Sequence, residues 1–212
     1  LFVPSEEPYR ERKVTLLNGP HTVLSPVAYL SGVNIVRDAC QHPVIGKYIN
    51  KVMFEELMET LNLPKEELQQ FAGDVLERFV NPFVDHQVTS IMLNSFPKYE
   101  TRDLPGLKTY LQRKGELPKG LVLGLAAIIT YYKGGVREDG AEIVPNDAPE
   151  IMALLKELWA TGDTRKVAEG VLAEESIWKG NLNEIPGLTD LVVEYLDSIQ
   201  AVGMLETVKG IV

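Results

Sequence analysis

Ile45-Gly46-Lys47-Tyr48-Ile49-Asn50-Lys51-Val52-Met53-Phe54-Glu55-Glu56-Leu57-Met58-Glu59-Thr60-Leu61 carries apolar side chains at Ile45, Tyr48, Ile49, Val52, Met53, Leu57 and Leu61. Steps of three and four residues put these on one stripe of an α-helix, whereas a half-buried strand alternates at every second residue. Asn62-Leu63-Pro64 stops the helix. Pro64 then suits the first turn of the next one, where a missing N–H costs nothing, and Leu68, Phe71, Val75, Leu76 and Phe79 form its buried face. Asn81-Pro82 repeats the device, a capping side chain followed by a proline. It predicts a helix through Phe83, Val84, Val88, Ile91, Met92 and Leu93 that Pro97 ends.

Outward from this region, helices are predicted over Leu104–Lys114, Leu117–Tyr132, Ala148–Trp159, Thr164–Ala173 and Leu188–Val202. Glycines, charges and prolines between Lys133 and Pro149 mark one long loop. No alternating run reads as a sheet, and no internal repeat is present. The predicted fold class is all-α, with about eight to ten helices in one helical domain spanning residues 1–212.

Composition narrows the function classes. A chain of 212 residues with 45% hydrophobic and 24% charged residues is an ordinary globular composition that can bury a sizeable core. The net charge is -9 with no basic stripe, which argues against a nucleic-acid partner. Cys40 is alone, so no internal disulfide can form, in keeping with a cytoplasmic location. The most apolar stretch, Leu121 to Tyr132, falls short of the ~20 residues needed to span a bilayer. Gly124 and Ala126-Ala127 inside it would let another helix approach closely, so it reads as a buried core helix with no membrane role. Leu1-Phe2-Val3-Pro4, followed at once by Ser5-Glu6-Glu7, does not read as a signal peptide. A chain that starts without Met is expected to be a fragment or a processed product.

Several chemistries leave no trace. No G-x-G-x-x-G follows a strand, and Gly134-Gly135 lacks the lysine and hydroxyl spacing of a phosphate loop. No G-x-S-x-G nucleophile elbow is present. Of the three histidines, His21, His42 and His86, none has a chelating partner at metal-ligand spacing, and Cys40 and His42 lie too close together to clasp a zinc ion. No metal is expected.

The segment that carries chemistry is Arg10-Glu11-Arg12-Lys13-Val14-Thr15-Leu16-Leu17-Asn18-Gly19-Pro20-His21-Thr22. On a regular helix Asn18 lies about 140° and His21 about 80° from Lys13, so the three share one side, with Pro20 kinking the geometry. An amine, a carboxamide and an imidazole converging there can bind and polarise a carbonyl or hydroxyl. Spacing alone leaves the plainer reading open: Lys13 as a solvated surface residue, Asn18 as a turn former before Gly19, His21 as a satisfied core group.

Lys-x-x-x-x-Asn-x-x-His, here Lys13, Asn18 and His21, resembles the signature of the polyol-specific long-chain dehydrogenases, the family of mannitol dehydrogenase, mannitol-1-phosphate dehydrogenase, fructuronate reductase and tagaturonate reductase. Arg78-Phe79-Val80-Asn81-Pro82 looks like the family's R-F-x-N-P helix start. His86-Gln87, Ser90-Ile91, Leu93-Asn94, Lys98 and Thr101-Arg102 look most like the tagaturonate reductase (altronate oxidoreductase) branch. Ile177-Trp178-Lys179-Gly180-Asn181-Leu182 and Ile185-Pro186-Gly187-Leu188 look like that branch's C-terminus. The resemblance covers nearly the whole chain and only the second half of a family protein.

The resemblance implies a multi-helical C-terminal substrate domain of the 6-phosphogluconate dehydrogenase C-terminal-like type, with the nucleotide-binding Rossmann domain absent from this chain. It implies metal-independent, NAD-dependent reduction of tagaturonate to altronate. NAD would be bound mainly by the N-terminal nucleotide-binding domain of the same protein, the partner of this one. Lys13 would be the general acid/base, which requires that it be desolvated or set beside a cation such as Arg10 or Arg12. Asn18 would stabilise the charge growing on the substrate oxygen, and His21 would position the sugar acid. His86, Lys98 and Arg102 are the substrate-binding candidates for the carboxylate and nearby hydroxyls, although lysine and arginine there could equally be solvated and His86 could cap a core hydrogen bond. Fructuronate reduction or mannitol-type chemistry is the neighbouring alternative. A stand-alone helical binding or assembly module is the alternative from another class. The isolated chain is expected to be inactive.

Overall fold

A computed structural model describes residues 5–212, and the reading of Leu1-Phe2-Val3-Pro4 lies outside them. The chain opens as one unbroken helical rod: α1 (Glu7–Lys13), a π turn (Val14–Asn18) and α2 (Gly19–Leu30). The predicted kink at Pro20 is absorbed by this π turn. It closes with the Gly19 N–H on the Val14 carbonyl, five residues back. The next donor in that register belongs to residue 20, a proline, so the wide turn sits where the ladder has no N–H to offer.

α3 (Val36–Gln41) leads to α4 (Ile45–Asn50), which continues through a second π turn (Lys51–Leu57) and a 3₁₀ turn (Met58–Thr60). The Ile45–Leu61 stripe is buried as predicted, with Ile45, Tyr48, Ile49, Val52, Met53 and Leu57 at 0% exposure. Glu56 is buried with them. Its carboxylate accepts the N–H groups of Gly120 (2.7 Å) and Leu121 (2.9 Å), capping a helix 64 residues away.

That helix, α9 (Lys119–Tyr131), is buried along nearly its whole length and crosses α2 at Gly124. A Cβ on Gly124 would sit 2.4 Å from the Val23 Cβ, so only glycine permits this approach. The remaining helices are α5 (Lys65–Phe79), α6 (Val88–Ile91), α7 (Ser95–Arg102), α8 (Leu104–Lys114), α10 (Pro149–Ala160), α11 (Thr164–Ala173), α12 (Glu175–Trp178), α13 (Leu188–Val202) and α14 (Met204–Lys209). Their apolar faces merge into one core that includes Leu16, Leu24, Tyr48, Phe96, Leu121 and Leu196. Among the described residues no helix is long and apolar enough to cross a membrane.

Three local expectations are corrected. Asn81-Pro82 opens no helix: the Asn81 Oδ1 accepts the Phe83 N–H at 2.9 Å, making a turn, and residues 82–87 run on without helix. Long-range pairing overrides the local helix signal there. Val36 N–H donates to the His86 carbonyl (3.0 Å), Val88 N–H donates to the Asn34 carbonyl (2.9 Å), and Arg37 holds the Pro82 carbonyl and Asp85. Pro97 does not end a helix; it occupies the first turn of α7, where its N–H would have no partner anyway. The loop after Lys133 contains a two-residue hairpin, β1 (Gly135–Val136) against β2 (Glu142–Ile143), too short to show alternation in sequence. The fold remains all-α in class.

Candidate active site

α2 presents His21 beneath the 82–87 segment. The imidazole stacks on the Phe79 ring, with centroids 4.0 Å apart and planes 20° apart, and meets the edge of His86 at 5.4 Å. The strand-like pairing of residues 34–36 with 86–88 is what brings His86 there. The two histidines share a cavity of about 170 Å3 with Leu17, Val36, Arg78, Phe79 and Val84. The Nε2 of His21 is buried and has no partner. Burial, then the neighbouring His86 and Arg102, hold its pKa down to about 3, so the ring is neutral near pH 7. A neutral imidazole with an unused nitrogen is a hydrogen-bonding group for a ligand rather than an acid.

α7 supplies the cations. Lys98 and Arg102 stand one helical turn apart and are both half-buried. The Lys98 Nζ donates to the Ile91 carbonyl at 2.7 Å, and the Arg102 guanidinium donates to the Thr22 hydroxyl at 3.2 Å, next to His21. Burial lowers the pKa of Lys98, Arg102 lowers it further, and Asp147 opposes them. Burial also lowers that of Arg102, against Asp103. Among the described residues no carboxylate reaches ion-pair distance of either cation, which leaves two neighbouring charges free to receive an anion.

The structure thus brings His21, His86 and Arg102 together, with Lys98 beside Arg102 on α7. Lys13 and Asn18 stand at the two ends of the π turn that precedes α2. Asn18 is half-buried; its carbonyl accepts the Thr22 hydroxyl and its side chain caps nothing. Lys13 is exposed. The desolvation expected of it is not provided by this chain. Arg12, a suggested source of positive charge beside it, is tied to Glu67 and lies over the Tyr9 and Phe71 rings. A wide turn closes a ring of one more residue than an α turn, so the angular spacing expected of a regular helix does not carry over to these two residues.

Four contributors were missed in the sequence. Thr22 holds Arg102. Asp147 faces Lys98 while accepting the Tyr132 hydroxyl. Arg78 lines the histidine cavity. Asp103 is wholly buried with neither oxygen partnered. Arg78 alone was signalled, by its place in the R-F-x-N-P run; nothing local in the sequence singles out the others. Another cleft, of about 570 Å3, lies between Arg10, Glu11 and Val14 and the α7–α8 corner at Thr101, Arg102 and Gly106.

Among the described residues no three His, Cys, Asp or Glu side chains gather into a metal site. Nor do these residues fit a dinucleotide. The strands are a two-residue pair, and glycines with positive φ fall in that hairpin or at helix ends such as Gly32, Gly115 and Gly203, never in a strand-to-helix phosphate turn.

A family model described as the mannitol dehydrogenase C-terminal domain matches residues 6–200. Altronate oxidoreductase of Phocaeicola vulgatus is 86% identical over 211 residues, covering 100% of this chain and 44% of the relative. That of Bacillus subtilis is 42% identical over 199 residues, covering 93% and 40%. The chain therefore spans less than half the length of these curated relatives. Mannitol 2-dehydrogenase of Pseudomonas fluorescens, solved as a ternary complex with NAD and D-mannitol, superposes with a TM-score of 0.86 at 24% identity, over 99% of this chain and 42% of that one. At that identity the likeness is one of fold. With the helical architecture and the match over residues 6–200 in agreement, this chain belongs to the mannitol dehydrogenase C-terminal domain family.

Proposed function

We propose that residues 1–212 act as the substrate-binding and proton-transferring domain of an NAD-dependent, metal-independent reductase that converts tagaturonate to altronate. The observation that carries this reading is the neutral His21, its Nε2 unpartnered, set beside His86 and Arg102, with the second unpaired cation, Lys98, one turn before Arg102 on α7. A site with two half-buried positive charges and no paired carboxylate suits a sugar acid better than a neutral polyol. Arg102, the planar fork, takes the carboxylate, and Lys98 adds a point charge. His21 and His86 hydrogen-bond the sugar hydroxyls. Asn18 donates to the keto oxygen as negative charge grows there, and Lys13 delivers its proton. Hydride delivery belongs to a nicotinamide held by the part of the protein outside this chain, the N-terminal nucleotide-binding domain, and none of these residues is assigned to it. Closure of that domain over Lys13 would supply the desolvation this chain lacks.

The altronate oxidoreductase relatives support this choice of substrate over fructuronate or mannitol. The test is a substrate panel on the full-length protein with NADH. Reduction of tagaturonate at a kcat/KM well above that for fructuronate and fructose is expected. Brisk turnover of fructose or mannitol without tagaturonate, or no turnover of any of them, as a purely structural helical module would give, overturns it.

A further inference from the structure

Asp103 joins α7 to α8 and is completely buried, with neither carboxyl oxygen accepting a hydrogen bond. It lies against the opening rod: a Cβ built on Gly19 would stand 2.8 Å from the Asp103 Oδ1 and 3.6 Å from the Arg102 carbonyl oxygen. Gly19 is the residue that closes the π turn, and Pro20 follows it. Since proline has no N–H, one carbonyl of that turn is left without its ladder donor. An ionised carboxylate sealed in this place with no donor would be prohibitively costly, whereas a carboxylic acid has an O–H to give.

We propose that Asp103 is a positioning residue, a buried carboxylic acid that donates to the turn left open by Pro20 and so locks the Lys13–Asn18 turn against the helix that carries Lys98 and Arg102. The two halves of the site then share one fastening at Gly19 and Asp103. The role of the lock in turnover rests on the proposed function; its chemical state does not. The charged and titratable groups around Asp103 are Arg102 and Tyr99 on α7 and Tyr48 on α4. Burial pushes its pKa well above the usual carboxylate range, with the Arg102 guanidinium pulling the other way. In the neutral state it leaves the charge on Arg102 uncancelled for substrate.

The experiment uses the full-length protein and the variants Asp103→Asn and Asp103→Leu. An infrared difference spectrum, wild type minus Asp103→Asn at pH 7, is expected to contain the carbonyl stretch of one protonated carboxylic acid; a carboxylate band in its place overturns the proposal. Asn keeps a donor, so Asp103→Asn is expected to keep kcat within a few-fold, while Asp103→Leu, which has none, loses at least tenfold in kcat with KM little changed. Equal activity in both variants overturns the positioning role. Between the ordinary carboxylate range and its raised value, the folded state holds a proton that the unfolded chain has released, so stability falls as pH rises. The wild type is expected to show up to a tenfold steeper change in its unfolding equilibrium per pH unit than Asp103→Asn, and identical slopes overturn the proposal even if Asp103→Leu fails to fold. If the wild type turns over no tagaturonate, the proposed function fails alone, and the infrared and stability arms still decide the state of Asp103.

Discussion

Lys13 ends α1 on the exposed side of the rod, and nothing in the core depends on it. Replacing it therefore separates chemistry from folding. In the full-length protein Lys13→Ala is expected to lower turnover on the order of 10²-fold or more, the usual scale for a general acid/base, with the thermal midpoint unchanged. Equal activity in the variant removes Lys13 from the mechanism. His21 has the opposite character, because its ring is packed against Phe79 and held neutral at a pKa of about 3 against the ordinary 6.5. Below pH 6.5 the unfolded chain takes up a proton that the folded chain refuses, so the stability tied to His21 is complete above 6.5 and lost progressively toward 3. Urea unfolding at pH 7 and pH 5 is expected to show a larger acid loss in the wild type than in His21→Gln. An equal loss means that the ring is not held neutral.

Helices meet here by virtue of what they lack. α2 and α9 cross where Gly124 has no side chain, and Val23 fills the space. Gly124→Ala puts a methyl group 2.4 Å from the Val23 Cβ, a branched carbon close to the backbone that cannot swing away. An overpacked crossing of this kind is expected to cost about 1–3 kcal/mol, read as a lower midpoint in denaturant. The same logic separates what was legible along the chain from what was not. Stripes at Ile45–Leu61 and in α5 announced their buried faces because an amphipathic period is local information. Asn81-Pro82 misled because its helix-start signal competes with a ladder to residues 34–36, and that competitor is invisible without tertiary contacts. The π turn at Val14–Asn18 follows from Pro20 once seen, although a kink and a widened turn are equally good local answers to a missing N–H.

On the scale of the whole molecule, the described residues share one merged core, several clefts open on its surface, and no dinucleotide cradle is found among them. Residues 1–212 expressed alone are expected to show no NADH oxidation with tagaturonate, while the full-length protein turns it over. Turnover by the isolated chain would overturn the division of labour between the domains. Val84, on a loop fastened by Arg37, lines the histidine cavity and Phe83 beside it is 93% exposed, although both were predicted to lie in a helix.

Helical class, the buried faces of the Ile45–Leu61 stripe and of α5, and the dense core helix α9 were determined by the sequence, since periodicity, proline placement and residue chemistry act over a few positions. Tertiary structure alone decided which polar atoms find partners: Glu56 capping a helix 64 residues on, Asp103 sealed against Gly19, His21 left with a free nitrogen, and Arg102 held by Thr22. The physical reason is that desolvation and hydrogen-bond satisfaction belong to neighbourhoods assembled from distant segments, and these set the charge state and therefore the chemistry of each group.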